Sequence, residues 1–215
     1  MRNHAANNRL GKSVNSRIFE QARQYAEHRL ERDLSPNLLY HGIAHTRGEV
    51  VPAAEELARM EGVEGEALYL LLTAAWFHDI GHVEQSRYHE LISARIAGEV
   101  LPGFGYTERQ VETVRWAILA TALPQSPRNL LEQILVDADL DVLGRESFMQ
   151  RNHDLRRELA SLGEEFTDEQ WYTRQLNFVE RHTYFTSAAR SLRDPQKLLN
   201  IAELKNMLQE LGSHS

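Results

Sequence analysis

The chain contains no cysteine among its 215 residues. Disulfides, thiolate metal sites and cysteine nucleophiles are therefore excluded, and a reducing cytoplasm is the expected compartment. No apolar run approaches the roughly 20 residues a helix needs to cross a bilayer, so no membrane partner is expected. Met1 to Ser13 is polar and lacks the apolar region of a secretory signal. Positive charge is also short: 24 Lys and Arg stand against 31 Asp and Glu, for a formal net charge of -7 and a pI of about 5.8. Such a balance argues against duplex nucleic acid held by phosphate contacts. A small anionic substrate then needs a metal or a local basic cluster. No segment sustains the valine-threonine-tyrosine alternation of a strand, and there is no internal repeat, low-complexity tract or interdomain linker. With 42% hydrophobic residues, the chain reads as an all-α, single-domain helical bundle.

Met1 to Val14 lacks periodicity and is expected to be a disordered tail, with the helical domain spanning 15–211. A first helix is expected from Asn15 to Leu30, and Asp33-Leu34-Ser35-Pro36-Asn37 turns the chain. The spacing of Val50, Val51, Ala54, Leu57 and Ala58 predicts a helix from Ile43 to Met60 with His45 in its first turn. The next runs from Glu66 to Ile80. Another opens at His89-Glu90 and is expected to stop at Pro102-Gly103-Phe104-Gly105. Thr107 to Gln110 has capping-box spacing, and Thr167 to Gln170 repeats it. Ser126-Pro127 suits a cap before a helix with Leu130, Leu131, Ile134 and Leu135 buried, while Phe148 to Leu162 is amphipathic. Thr186 to Leu192 and Gln196 to Leu211 read as two separate helices. Trp116 and Trp171 fall on apolar faces and are expected in the core.

The chemistry concentrates where Leu70 to Phe77 ends in His78-Asp79-Ile80-Gly81-His82. A strongly apolar helix that finishes on a carboxylate poses a physical problem, because burying an unpaired charge costs several kcal/mol or more. A bound cation removes that cost, and the adjacent imidazole is a ready second ligand. Asp137-Ala138-Asp139 poses the same problem at the end of a second apolar stretch.

The order of one histidine, a His-Asp pair and a later aspartate resembles the HD superfamily of metal-dependent phosphohydrolases. The likeness runs through Tyr40-His41 to His45, Phe77 to His82, His89 to Ala94 and Val136 to Asp139, a motif core of residues 40–144. The helices of 147–211, with Trp171 to Phe178, Tyr184-Phe185-Thr186 and Lys197 to Asn200, look like the C-terminal part of a bacterial HD subgroup. The resemblance implies His45, His78, Asp79 and Asp139 as metal ligands, with Asp137 the alternative fourth. It also implies hydrolysis of a phosphate ester (nucleotide, phosphomonoester or phosphodiester) by metal-activated water. Two imidazoles and two carboxylates suit one divalent ion among Mn, Fe, Co, Ni and Mg. The partner expected is a small phosphorylated substrate such as a nucleotide; the sequence leaves its identity and the oligomeric state open.

Around this set, His89, Glu90 and His82 are the candidate catalytic residues, with Arg47 and Arg87 candidate phosphate contacts. His41 reads as a residue supporting the ligands rather than as a fifth ligand. The helix of Val111 to Thr121 carries no histidine, so one ion is expected. That absence also disfavours a competing reading as a di-iron HD-type oxygenase; a non-catalytic metal-binding HD module is the third alternative.

Overall fold

The structure, a computed structural model, describes residues 14–213. The expected tail lies outside the described residues except for Val14, which is buried and donates its amide to Glu66 Oε1 at 3.1 Å. Among the described residues there is no strand. Helix α1 (Ser16–Asp33) starts where the Asn15 side chain accepts from the Arg17 and Ile18 amides. Helices α2 (Ile43–His45) and α3 (Val51–Met60) are joined without a break by a π turn, Thr46–Val50. Helix α4 (Gly65–Phe77) is followed by a 3₁₀ turn, Ile80–Val83, and then by α5 (His89–Phe104) and α6 (Glu108–Ala120). Helix α7 (Leu130–Asp139) leads through a second 3₁₀ turn, Asp141–Gly144, to α8 (Phe148–Ser161), α9 (Asp168–Arg181) and α10 (Ser187–Ser213).

Helix α4 is the central element. Every residue from Leu70 to Phe77 is buried, as expected of a helix apolar on all sides, and α1, α3, α6 and α7 all pack on it. A second apolar cluster gathers Val142, Leu143, Phe148, Trp171, Tyr172, Val179 and Leu204 from the C-terminal helices. Helix α10 belongs to both, burying Ala188 and Ala189 in the first cluster and Leu204 in the second.

Both capping boxes form, Thr107 with Gln110 and Thr167 with Gln170. Helix α5 stops within the expected Pro102 to Gly105 stretch: it runs through Pro102 to Phe104 and ends at Gly105, whose φ of 103° is the left-handed value a C-terminal glycine accepts freely. A proline in the last turn removes only one backbone hydrogen bond. The cap of α7 is Asn129, which accepts from the Glu132 amide, rather than Ser126, and Leu130 is exposed. The two expected C-terminal helices are one, continuous through Pro195, because packing on both sides of the proline outweighs the single lost bond. Trp116 is 48% exposed, capped by the Arg128 guanidinium 4.2 Å above its ring, while Trp171 is fully buried.

His182, at the end of α9, packs edge-on against Tyr184, and neither ring nitrogen has a hydrogen-bond partner. Burial, with Lys197 adding to it, lowers its pKa to about 4. Because the folded value lies below the ordinary ~6.5, the neutral ring favours the fold, and this contribution is complete above pH ~6.5 and lost as pH falls towards 4. Denaturation midpoints measured across that window should decline less steeply for His182→Gln than for the wild type.

Candidate metal centre

Three helix ends converge. His45 closes α2 at the start of the π turn, His78 caps the C-terminus of α4, Asp79 follows it, and Asp139 is the last residue of α7. Asp79 sits at φ −105°, ψ 3°, a bridge conformation that takes its side chain out of the α4 spiral. Gly81 makes the next turn possible: a Cβ there would collide with the His89 carbonyl, and its amide donates to Ser93 Oγ at 2.8 Å. The start of α5, with His89, is thereby clamped against Asp79.

His45 Nε2 lies 3.3 Å from Asp139 Oδ1 and 3.8 Å from Asp79 Oδ2; His78 Nε2 lies 3.4 Å and 3.2 Å from the same two atoms. Donors arranged around one octahedral ion at about 2.1 Å are about 3 Å apart when adjacent. The outer nitrogens are already engaged. His78 Nδ1–H donates to the Ala75 carbonyl at 2.8 Å, and His45 Nδ1–H to Glu49 Oε2 at 2.9 Å. This turns both Nε2 lone pairs inward, the way outer partners orient metal-bound imidazoles. His78 Nε2 and Asp79 Oδ2 are buried with no hydrogen-bond partner. Such orphaned acceptors are costly unless a cation meets them, so the residues fit a divalent metal ion.

Electrostatics agree. Burial alone would push Asp79 up, yet His78 holds it well below the ordinary carboxylate range. Burial disfavours charge on His78 too, but Asp79 and Asp139 raise its pKa well above that of a free imidazole. Asp137 is a different case. It accepts from the Phe185 amide, the Thr186 amide and Thr186 Oγ1 at 2.8, 2.8 and 2.7 Å, which anchors the start of α10 and leaves it away from the centre.

Asp79 and Asp139 of the centre line one end of a cavity of about 330 Å³ that also reaches His41, His89 and Glu90. Its far walls are apolar, with Leu143, Phe148, Leu155 and Phe178. His89 Nε2 is 3.3 Å from Asp79 Oδ1, and its pKa rises to about 9, because the Asp79 bond and charge outweigh burial. His82 is buried and is not part of the cavity lining. Arg47 is not brought to the cavity either: it is turned to Glu31 at 2.7 Å, and Arg87 lies exposed over Tyr88. The arginines that line it are Arg151 and Arg174, which sequence reasoning did not single out. Glu49, Glu158 and Ser93 were also missed. Glu49 was legible as the i+4 partner of His45, whereas Glu158 lies 117 residues from His41, with nothing local to announce it.

The family model "HD domain" matches residues 42–141. Comparison with curated proteins gives no match. Among solved structures, a predicted HD superfamily hydrolase from an uncultured Thermotogales bacterium is 23% identical, with TM-score 0.58, covering 89% of this chain and 92% of its own. Bacillus subtilis YpgQ in complex with ADP is 18% identical, with TM-score 0.64 and coverages of 90% and 94%. A protein from Lactobacillus plantarum is 18% identical, with TM-score 0.67 and coverages of 93% and 99%. At these identities the likeness is one of fold.

His78→Ala and Asp79→Ala should each lose stoichiometric metal in elemental analysis while circular dichroism stays α-helical; full occupancy in both would refute the centre. Asp139→Ala should weaken metal binding by more than about 100-fold, beyond the usual loss from an outer partner. Asp137→Ala should instead keep the metal and lose about 2 kcal/mol of stability in denaturant titration, because it strands the donors at the start of α10.

Proposed function

The chain is an HD domain protein, and from that premise we propose that it is a metal-dependent phosphohydrolase acting on a small phosphate ester, with a nucleotide the class that suits the cavity best. The observation that carries this reading is the joining of a four-donor centre to an apolar chamber: His45, His78, Asp79 and Asp139 at one end, Leu143, Phe148, Leu155 and Phe178 at the other. A phosphate belongs at the first end and a flat, largely apolar group at the second. The Bacillus subtilis relative in complex with ADP supports the same class.

His45, His78, Asp79 and Asp139 would hold one divalent ion, which supplies an activated water and charge neutralisation at phosphorus. The rest falls to side chains. Glu49 and the Ala75 carbonyl hold the two imidazoles in the tautomer that faces inward. His89 stands at the cavity wall, 3.3 Å from Asp79 Oδ1, where it can meet a phosphate oxygen. Glu90 is beside it, with Oε1 3.5 Å from His89 Nε2, placed to orient that ring or to exchange a proton with the substrate. Arg174, whose nearest carboxylate is Glu164 at 3.8 Å, would take the anion-contacting role that the sequence suggested for Arg47 and Arg87, while Arg151 at the same wall is held by Glu49 and Asp154. The apolar walls exclude water from the organic group and select against polyol phosphates, whose hydroxyls would lose hydrogen bonds there.

The test is release of phosphate or pyrophosphate from a panel of nucleotides and sugar phosphates, using metal-stripped protein reloaded with Mn, Fe, Co, Ni or Mg. Nucleotides should be turned over and sugar phosphates should not. His89→Ala should retain its metal and lose at least about 10-fold in turnover, while Asp79→Ala should be inactive. No hydrolysis of any ester by fully loaded wild type would refute the proposal.

A further inference from the structure

The cavity is not uniformly apolar away from its acidic end. Three carboxamide side chains line it from three separate segments: Gln125 from the loop between α6 and α7, Asn152 from α8 and Gln175 from α9. Asn152 is 4% exposed and Gln175 7%, so both are withdrawn from bulk water. Among the described residues, Gln125 Nε2 and Asn152 Nδ2 are the buried amide nitrogens left without a hydrogen-bond partner, and both belong to this cavity's lining. The Gln175 amide has no hydrogen bond to a described residue either. A buried amide left unmet costs about 1–3 kcal/mol, and three such groups around one chamber point to a ligand that meets them.

Their placement separates them from an ordinary polar rim. Phe148 and Leu155 lie about one turn to either side of Asn152 on α8, and Phe178 lies one turn beyond Gln175 on α9; all of them line the same chamber. The amides are thus set within the apolar wall. Trp171, fully buried one turn before Gln175, fixes the polarity of Asn152: its indole N–H donates to Asn152 Oδ1 at 2.5 Å. An indole nitrogen only donates, so the carbonyl end of Asn152 faces Trp171 and the amino end is the one left over. Asn152 and Gln125 therefore offer donors, and Gln175 can turn either end of its amide to a partner.

From this arrangement we propose that Gln125, Asn152 and Gln175 read the hydrogen-bonding edge of a nucleobase while the apolar side chains cover its faces. The proposal rests on the nucleotide reading of the cavity and adds what the organic group must carry: ring nitrogens or carbonyl oxygens that accept from amides. Neutral carboxamides suit a base edge, whereas phosphate oxygens draw charged donors. An aryl or isoprenoid phosphate could fill the same volume but would leave the amides unpaired. A site built on hydrogen bonds rejects such analogues far more strongly than a purely apolar pocket does.

The test is equilibrium binding, by calorimetry, to protein loaded with Mn²⁺. The probes are methylene-bridged diphosphates of adenosine, guanosine, cytidine and uridine, together with one carrying indole, a flat base without acceptors. At least one natural base should bind about 100-fold more tightly than indole. Gln175→Leu should reduce that preference about 10-fold or more, with metal content and indole affinity unchanged. Asn152→Asp, which keeps the acceptor for Trp171 and removes the donor, should do the same. Gln125→Leu, in a loop, serves if either helix variant does not fold. Equal affinity for indole and every natural base, no binding of any probe, or an undiminished preference in the folded variants would overturn the base reader. Phosphate release by the wild type would still uphold the phosphohydrolase reading in those cases. A clear base preference without turnover of any ester would overturn the hydrolase reading and leave the base reader standing.

Discussion

Buried carboxylates are the constraint on which this structure depends. Asp79 and Asp139 end two helices that pack in the core, and α4 cannot be withdrawn from it without dismantling it. Their charge must be met largely where they lie, because Asp79 is almost fully buried and Asp139 is open only on its cavity side. The fold answers by ending α2 and α4 on imidazoles at the same point, so helix ends rather than helix faces build the centre. A helix end suits this purpose: the residue beyond the last turn can leave the spiral, as Asp79 does, and the free carbonyls of that turn can orient a neighbouring ring, as Ala75 does for His78.

A second layer of acids decides what the imidazoles can do. Glu49 and Glu158 each grip the Nδ1 of a histidine and leave Nε2 for another partner. The two are supplied differently. Glu49 sits four residues after its histidine, on the π turn that widens the helix beside the centre, whereas Glu158 arrives from α8 and also secures the chain entering α2 through the Tyr40 and His41 amides. The C-terminal helices therefore do more than cover the motif core. They hold one of its histidines, and through Phe148, Leu155 and Phe178 they wall the chamber in which a substrate would lie.

Charge around the centre is strongly directional. The acids lie in and behind the ligand set, while the cationic groups His89, Arg151 and Arg174 stand along the cavity. That polarity admits an anion from the cavity side once a cation occupies the acidic end. The phosphorylated substrate proposed for a chain with a net charge of -7 would require such a polarity.

Local sequence determined a great deal. Leu70 to Phe77 followed by His78-Asp79 marked a central helix ending in a buried charge, the two capping boxes placed helix starts, and the order of His45, His78, Asp79 and Asp139 carried the resemblance to the HD superfamily and singled out four side chains that the fold brings together. These are properties of neighbouring residues, set by periodicity, capping and desolvation over a few turns. Tertiary structure decided the rest. Asp137 and Asp139 are near-equivalent in the sequence, and only the arrival of Phe185 and Thr186 commits the first to α10. Pro195 reads as a break until packing on two clusters carries the helix through it. Arg47 and Arg87 were plausible anion contacts by proximity along the chain, but the direction of a side chain is set by what packs around it, and Arg47 found Glu31 instead. The rings of His41, His82 and His89 stack because three segments meet in space, a long-range coincidence that no local pattern encodes.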